Sequence, residues 1–453
     1  MAWIAHLLAT ALGLLALQRL VAGTTMRGWH KAIVAAGIVV LALAGFRASD
    51  PPAGFLFSDF SIAYYPAGLA ALQDPQRLEG LLQMGVRGFV NLPAVAWLFA
   101  PLALVPERIA VVVFTALGVA ACVAAWWLLC RVARLEVRER CMLALLFAAN
   151  GPLLYSVKEG NTSHMVLFGV VAAFALLKAG RHVAAGALLA TCAVIKPPLA
   201  LFGLFFLLRR DVAGLVAFIL VGAGFVVTSL LLAGWTLNLD WFQLSVVKFS
   251  REWLAAFNVQ SLPAFVLRLD SGAQQHLHDW TTPTAISAGE RLAGQLLEAA
   301  VLAAAAFAWL RADGGGSEPG QAERRCDLQF LLVLCLALVA SPLSWSHYYA
   351  WLLMPTAFFL AQNRLRDGRA AQVLGWIAVF LATPLVRPLF VDDAALMAAY
   401  RALGVSHLLF GGLLMFALVA AHLAAAGPAP RRGRARSANK RRAAVGSGPG
   451  GGW

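Results

Sequence analysis

Apolar residues are gathered into long runs separated by short polar joints, and this pattern continues almost to the C-terminal tail. The runs lie near 4–22, 32–46, 92–105, 108–130, 141–157, 163–177, 183–208, 212–233, 288–310, 328–342, 349–361, 371–386 and 403–425. A membrane β-barrel would instead show short segments of alternating hydrophobicity. Helices satisfy their own backbone hydrogen bonds in lipid, so the pattern predicts an all-α, polytopic transmembrane helical bundle with about 10–13 membrane segments.

Two of these runs contain prolines that interrupt a straight helix. Pro101 lies within 92–105, and Pro197 and Pro198 lie within 183–208. Proline removes a backbone donor and kinks or ends a helix. The sequence is therefore compatible with either a full crossing or a partial entry at both runs. We interpret 92–105 as a segment that enters and returns, because a crossing would move the next basic joint to the outer face.

Lysine and arginine are concentrated in alternate joints. These basic joints are Arg27–Lys31, Arg131–Arg140, Lys178–His182, Arg209–Arg210, Arg311–Arg325, Asn363–Arg369 and Arg431–Arg442. Cytoplasmic joints carry such an excess. The pattern predicts a multi-pass protein of the cell inner (plasma) membrane, with a first outer loop at 48–91 and a second outer region at 234–288.

The same pattern predicts one integral membrane domain over residues 1–426. Residues 427–453 are rich in basic residues, glycine, serine and proline. We interpret them as a disordered cytoplasmic tail that lies near anionic membrane lipids.

Composition supports a membrane protein and excludes several other classes. Hydrophobic residues make up 61% of the chain and charged residues 13%, whereas a soluble domain has roughly half and a quarter. The net charge of +14 arises mainly from the joints and the tail, so it does not indicate a nucleic-acid partner. The six cysteines include no CxxC pair, and we interpret them as small core residues rather than disulfides or metal ligands.

Polar residues beside membrane segments are energetically unfavourable and tend to be functional, and five stretches of them fall on the predicted outer face. The first contains Asp59, which lies among aromatic and small residues. A partly desolvated carboxylate in this position could act as a general base. The alternative is that Ser58 or Asp59 caps a helix that runs from Ile62 to Leu72.

Two further stretches combine charges with turn or helix-ending residues. Glu159 and Asn161 lie in a polar segment that could bind a ligand, or could simply be a turn with Gly-Asn at its tip. Lys196 lies between apolar residues and two prolines. Its ammonium group could hold a phosphate as a point charge, or it could snorkel to the membrane interface.

The last two stretches carry polar groups that could recognise a sugar or a phosphate. Asn258, Gln260 and Ser261 could bind sugar hydroxyls, or they could form the polar start of a helix. His347 follows Trp345 in a polar segment between two apolar runs. His347 is a candidate ligand for a phosphate or a sugar, although aromatic residues in this position are also typical of a membrane-interface belt.

Taken in order, these motifs resemble glycosyltransferase family 87, also called the DUF2029 family. Its members are C-type membrane glycosyltransferases and include polyprenyl-phosphate-mannose-dependent mannosyltransferases. Family members commonly show Gly-Gln-x-Asn where this chain has Gly160-Asn161. The matching stretches, within about 48–350, are Asp59-Phe-x₃-Tyr-Tyr65, Asn91-Leu-Pro93, Ala100 to Pro106, Gly160-Asn161, Ala184 to Pro198, Asn258-x-Gln-Ser-Leu262 and Ser341-Pro-x-Ser-Trp-x-His347.

The resemblance implies that the chain transfers a sugar, mannose or another pentose or hexose, from a polyprenyl-phosphate-linked donor. The acceptor would be a hydroxyl of a glycolipid, a polysaccharide or a protein outside the cytoplasm. Asp59 would be the catalytic base and His347 would lie at the active site. Tyr64 and Tyr65, which belong to the first motif, join the substrate-binding candidates.

As a hypothesis, Lys196 or His347 would stabilise the leaving phosphate, and the transfer would invert the anomeric carbon. The sequence shows no Asp-x-Asp motif, so we expect no obligatory metal and no cofactor. The main alternative is a membrane transporter or a lipid flippase for an envelope glycoconjugate. Transporters often contain repeated halves with matching broken helices, and no such pairing is visible. A structural partner of an envelope-assembly complex is a third possibility.

Overall fold

The structure, a computed structural model, is all-helical over the residues that it describes. These are residues 36–41, 43–44, 56–270, 273–280, 286–313, 319–361, 365, 367–384 and 394–426. Within them the only β-type pairing is an isolated bridge between Val259 and Trp345. The predicted all-α class is therefore confirmed. The apolar run 4–22, residues 32–35, 42 and 45–46 of the next run, and the tail 427–453 lie outside the described residues.

Eighteen α-helices follow one another along the described chain. They are α1 Tyr65–Gln73, α2 Leu78–Gln83, α3 Ala96–Ala103, α4 Glu107–Val132, α5 Val137–Ala149, α6 Gly151–Lys158, α7 Ser163–Lys178, α8 His182–Ile195, α9 Leu201–Leu208, α10 Val212–Trp241, α11 Lys248–Arg251, α12 Leu262–Arg268, α13 Ala288–Asp313, α14 Pro319–Val339, α15 Leu353–Leu360, α16 Arg369–Ala382, α17 Ala394–Ala402 and α18 His407–Ala425.

Short 3₁₀ and π segments join these helices. The π segments are Phe60–Tyr64 and Phe242–Val247. The 3₁₀ segments are Pro75–Arg77, Gly85–Arg87, Pro93–Val95, Pro197–Ala200, Ala273–His276, Ser346–Leu352 and Gly404–Ser406.

Among the described residues, four helical stretches are long and apolar enough to cross a membrane: Glu107–Val132, Val212–Val247, Ala288–Ala312 and Ala394–Ala425. The pair Val137–Ala149 and Gly151–Lys158, bent by 50°, would make a fifth as one broken span. Five more apolar helices are shorter. A polytopic helical membrane protein is therefore confirmed, although length and composition qualify fewer spans than the 10–13 segments predicted.

The structure shows that neither of the two proline-containing runs, 92–105 and 183–208, forms one helix long enough to cross the membrane. The run 92–105 contains a short apolar helix, Pro93–Ala103, with Pro101 inside it. At 1.5 Å per residue it is roughly half as long as a ~30 Å hydrocarbon core. The run 183–208 is divided at Lys196 into His182–Ile195 and Pro197–Leu208, so each part is also shorter than a straight span.

A cluster of phenylalanines packs three helices together. Phe330 of α14 contacts Phe174 of α7 and Phe202 and Phe205 of α9, with ring centroids 4.8, 4.5 and 5.5 Å apart. All four rings are fully buried. Aromatic rings at these distances add packing energy beyond their buried area. The cluster therefore holds α7, α9 and α14 together.

A close contact between α8 and α10 depends on glycine. A Cβ atom on Gly186 would lie 2.2 Å from the backbone oxygen of Gly214. Small residues allow two membrane helices to approach backbone to backbone. The contact sets the position of α8, whose C-terminal end delivers Lys196.

Two predicted joints differ from the observed structure. Much of the joint Arg311–Arg325 is helical, because α13 runs to Asp313 and α14 begins at Pro319. Arginine, glutamate and glutamine are good helix formers. Helix α10 also continues beyond 233 to Trp241, with a kink at Gly234, where φ is +76° and other residues would be strained.

The C-terminal end of α7 carries a partly buried ionic network. The Lys178 ammonium lies 2.8 Å from Asp327 Oδ1 and 2.7 Å from Glu323 Oε1. The Asp327 side chain is 3% exposed and that of Glu323 is 42% exposed. Because solvent screens the exposed pair, the buried pair contributes more to stability.

We therefore predict that Asp327→Asn destabilises the protein by about 1–3 kcal/mol, because Lys178 loses its buried carboxylate but keeps Glu323. The matched change Glu323→Gln should lower stability by less than about 1 kcal/mol. Thermal unfolding in detergent measures both variants. Equal losses would show that burial does not distinguish the two carboxylates.

Candidate functional site

The site begins where two segments far apart in the sequence pair through their backbones. The amide of Phe57 donates to the carbonyl of Lys158 (2.8 Å), and the amide of Asp59 donates to the carbonyl of Glu159 (2.9 Å). Gly160 makes the turn that follows, with a φ of +67°. The predicted turn at Gly-Asn is thus present, and it brings Asn161 to face Asp59.

The side-chain amide of Asn161 connects the Asp59 carboxylate to the Lys196 ammonium. Its Nδ2 donates to Asp59 Oδ2 at 2.6 Å. Its Oδ1 accepts a hydrogen bond from the Lys196 ammonium at 3.0 Å, and also from the amide and hydroxyl of Ser163. These bonds orient the amide, and the half-buried Asp59 carboxylate is therefore held by a neutral donor.

The Asp59 carboxylate precedes the helical turn Phe60–Tyr64 but makes no capping hydrogen bond with it. The capping alternative is therefore not what the side chain does here. Burial raises the pKa of Asp59, while the hydrogen bond from Asn161 and the charge of Lys196 oppose that rise. A raised pKa makes this carboxylate a stronger base than an exposed aspartate.

Lys196 occupies the break between α8 and the prolines. It is buried, and its ammonium lies 5.1 Å from the centre of the Tyr348 ring. Within the described residues no carboxylate lies within ion-pair distance of it. Burial lowers the pKa of Lys196 to about 8, and the charge of Asp59 opposes the shift. The side chain points into the cluster and does not snorkel outward.

Glu159 is a second buried carboxylate close to Asp59. It accepts a hydrogen bond from the Ser58 hydroxyl, and Lys158 Nζ lies 3.8 Å from its Oε1. Burial is the main cause that raises the pKa of Glu159, and the charge of Asp59 adds to the rise. Glu159 therefore has an ammonium partner of its own, whereas Asp59 meets Lys196 only through Asn161.

His347 reaches the cluster from the 3₁₀ segment Ser346–Leu352. It is buried, and within the described part of the chain neither ring nitrogen has a hydrogen-bond partner. Its ring packs against Tyr348, with centroids 5.0 Å apart, which places it one ring away from Lys196. Burial and the Lys196 charge hold the pKa of His347 well below its usual range. Buried polar groups normally have partners, so this ring has unused capacity for a ligand.

Asn258 lies beside His347 because two loops pair. The amide of Ser346 donates to the carbonyl of Asn258 at 2.7 Å, and the amide of Gln260 donates to the carbonyl of Ser344 at 2.6 Å. The Asn258 side chain accepts from the Trp280 indole at 2.8 Å. The Tyr155 hydroxyl lies within hydrogen-bonding reach of both Asn258 and Glu159, and thus links this loop to the carboxylates.

Four other predicted residues lie nearby in different roles. The Tyr65 hydroxyl donates to the carbonyl of Val105, and Tyr64 is buried against Phe99. The amide of Gln260 holds the backbone carbonyls of Phe257 and Val405. Ser261 caps α12 by accepting from the Ala264 amide, as the helix-start alternative predicts.

Trp345 stacks on His347, with ring centroids 6.3 Å apart, and is half-buried. Tyr155 flanks the other side of the His347 ring at the same distance. Tyr155, Tyr348 and Trp280 are not among the site residues predicted from the sequence. Trp280 carries no local sequence signal, because its contact with Asn258 spans 22 residues of the chain.

No group of three or more histidine, cysteine, aspartate or glutamate residues suited to a metal ion occurs among the described residues. The candidate site is instead built from two carboxylates, two lysines, amides and aromatic rings.

Comparison with known proteins identifies a family. A family model described as glycosyltransferase family 87 matches residues 89–342, more than half of the chain. Asn161, Lys196 and Asn258 lie inside the matched region, whereas Asp59 and His347 lie outside it. Searches of curated proteins and of solved structures found no match.

The turn at Gly160 provides a test of the site's packing. A Cβ atom at this position would lie 2.7 Å from Phe60 Cβ, whereas one at Gly180, which also has a positive φ, would meet no atom within 4 Å. We predict that Gly160→Ala destabilises the protein by about 2–4 kcal/mol and Gly180→Ala by only about 1–2 kcal/mol. Thermal unfolding in detergent gives both values. If the two losses are equal, the contact with Phe60 does not constrain the turn.

Proposed function

The chain belongs to glycosyltransferase family 87, and we propose that it transfers a sugar from a polyprenyl-phosphate-linked donor to an acceptor hydroxyl. The family indicates a glycosyltransferase. The membrane helices support a lipid-linked donor, because a prenyl chain stays in the bilayer. The sugar would be mannose or another pentose or hexose, and the acceptor a glycolipid, a polysaccharide or a protein.

The observation that carries this proposal is the arrangement of Asp59, Asn161 and Lys196. The carboxylate and the ammonium are held by opposite ends of one amide, at 2.6 and 3.0 Å. A sugar transfer needs a base for the acceptor and a positive group for the leaving phosphate. This arrangement supplies one of each without neutralising them in a direct ion pair.

In the proposed reaction Asp59 takes the proton of the acceptor hydroxyl. The acceptor oxygen then forms a bond to the anomeric carbon, and the bond from that carbon to the phosphate oxygen breaks. The electron pair leaves with the polyprenyl phosphate. Attack from the face opposite the phosphate inverts the anomeric carbon, and no covalent intermediate on the protein is needed.

The leaving phosphate would be stabilised by Lys196 and His347. The Lys196 ammonium uses one described hydrogen bond, to Asn161, and has three donors in total. The unpartnered ring of His347 can donate one further hydrogen bond in its neutral form. Positive charge and fixed donors placed where charge develops lower the barrier to transfer.

The remaining predicted residues would contact the sugar or hold the site. Asn258, Trp345 and Tyr64 surround the cluster, and Glu159 lies beside Asp59 with its own lysine. We keep Gln260, Ser261 and Tyr65 as supports for the loops, because their polar groups bind backbone atoms. No metal or other cofactor has a role in this proposal.

We place the site on the extracytoplasmic face of the cell inner membrane, with the C-terminus in the cytoplasm. Helix α7 supports this orientation, because it begins beside Asn161 and ends at Lys178. The basic joints that contain Lys178, Arg134 and Arg209 thus lie at the opposite end of the bundle from Asp59. The transporter, flippase and structural-partner alternatives gain no support from the family.

Asp59→Asn should reduce sugar transfer by about 10³-fold or more, because the amide cannot accept the acceptor proton. The assay uses membranes supplied with a polyprenyl-phosphate sugar. Asp74→Asn is the matched control, since the Asp74 side chain is 49% exposed and caps a separate turn; it should leave the rate unchanged. Full activity of a folded Asp59→Asn protein would remove Asp59 from the base role.

The pH dependence follows from the two shifted pKa values. Protonation of Asp59 removes the base, so transfer should fall in acid at a pH above the usual aspartate range. Because the pKa of Lys196 is lowered to about 8, the ammonium is lost as the pH rises through that value. Transfer should therefore also fall above about pH 8.

Lys196→Arg tests the assignment of the alkaline limb. A guanidinium stays protonated throughout this range, so the decline above pH 8 should disappear in whatever activity this variant retains. A wild-type rate that is constant from pH 7 to beyond pH 9 would contradict a role for the Lys196 charge.

A further inference from the structure

Arg268, the last residue of α12, is a buried cation that the proposed chemistry does not use. It is fully buried. Burial of a guanidinium is unfavourable unless all of its donors are bonded. Within the described residues, its hydrogen bonds go only to neutral oxygens, and no carboxylate lies within ion-pair distance. A charge retained at such a position requires an explanation other than an ion pair.

The oxygens that Arg268 binds bracket the Asn258 loop. Its Nη1 donates to the carbonyls of Val259, Ala256 and Ala255 at 2.9, 3.1 and 3.3 Å. One nitrogen therefore gathers three carbonyls on both sides of Asn258. The Asn258 carbonyl in turn accepts from the amide of Ser346, the residue before His347.

The other edge of the guanidinium anchors this loop to the start of α18. Nη2 and Nε donate to the Ser406 hydroxyl at 3.0 and 3.3 Å. Gln260 makes a parallel connection, because its Nε2 donates to the carbonyl of Val405 and its Oε1 accepts from the amide of Leu409. The loop is thus attached to one turn of the fold by two separate side chains.

The fork geometry of arginine matters for this contact. A planar guanidinium presents five donors in fixed directions, whereas a lysine ammonium presents three from a single atom. Lysine could keep the charge and still fail to reach the three carbonyls and the Ser406 hydroxyl together. The loop and the positions of Asn258 and His347 therefore depend on an arginine.

We propose that Arg268 is a positioning residue that holds Asn258 and His347 in the geometry that sugar transfer requires. It touches no substrate and acts through the backbone of residues 255–259. This inference rests on the proposed function for its activity readout. Its structural readout is independent of any activity.

The first test compares hydrogen–deuterium exchange of wild type and Arg268→Lys in detergent. Exchange at amides of residues 255–260 and 344–347 should rise at least ~10-fold, because opening of the loop becomes easier. Arg209→Lys is the matched control: its guanidinium donates to Gln329 beside the Lys178–Asp327 pair, at the other end of the bundle. Unchanged exchange in both loops of Arg268→Lys would overturn the proposal.

The second test is a double-mutant cycle with Asn258→Ala. Asn258→Ala removes the side chain but keeps the backbone carbonyl that binds Ser346. Arg268→Lys should therefore lower kcat/KM at least ~10-fold alone and by a smaller factor in the Asn258→Ala background, where only its effect on His347 remains. A general loss of stability would multiply the two effects, and that result would overturn the positioning role. Arg209→Lys should leave kcat/KM unchanged in both backgrounds.

If Arg268→Lys does not fold, Ser406→Ala replaces it in both tests, because it removes one acceptor of the same guanidinium. A wild-type protein that shows no transfer from the donor contradicts the proposed function alone. The exchange comparison then still decides whether Arg268 holds the loop.

Discussion

The amide of Asn161 is the contact on which the candidate site depends. It joins the segment that contains Asp59 to the break after α8, by binding Asp59 at one end and Lys196 at the other. An amide is suited to this position, because it offers a donor and an acceptor and carries no charge. A carboxylate here would pair with Lys196 and repel Asp59, and a lysine would pair with Asp59 directly. Either would neutralise a group that the proposed transfer needs.

The irregular backbone around this amide explains why the bundle contains so many short helices. In lipid, a chain can leave helical geometry only where protein or a water-filled cavity covers its polar groups. The breaks at Gly160 and Lys196 both occur beside the cluster, and the pairing of 57–59 with 158–159 satisfies several of the freed amides. The phenylalanine cluster holds α7, α9 and α14 together near Lys178 and Arg209, at the other end of these helices. A continuous set of full-length spans would leave no place for Lys196 to enter.

The fold class and several site residues could be predicted from the sequence, because apolar runs and buried charges leave strong local signals. Asp59, Asn161 and Lys196 stood out as polar groups beside apolar runs, and the structure brings them together. The partners that position them left weaker signals. Arg268 and Trp280 are not among the residues predicted from the sequence. Their importance arises from contacts across 22 to 138 residues of sequence, which periodicity within one segment does not reveal. The roles assigned to the site residues remain predictions.

Two lysines at opposite ends of the bundle, Lys178 and Lys196, have different partners and different roles. Lys178 is bound by two carboxylates at 2.7 and 2.8 Å, so its charge is neutralised and contributes to stability. Lys196 donates a hydrogen bond to the Asn161 amide oxygen and lies over the face of the Tyr348 ring. Its pKa is lowered to about 8. A charge that is buried without a counter-ion weakens the fold and attracts anions. In the proposed reaction, the phosphate of a lipid-linked donor would bring an anion to Lys196 and offset this loss of free energy.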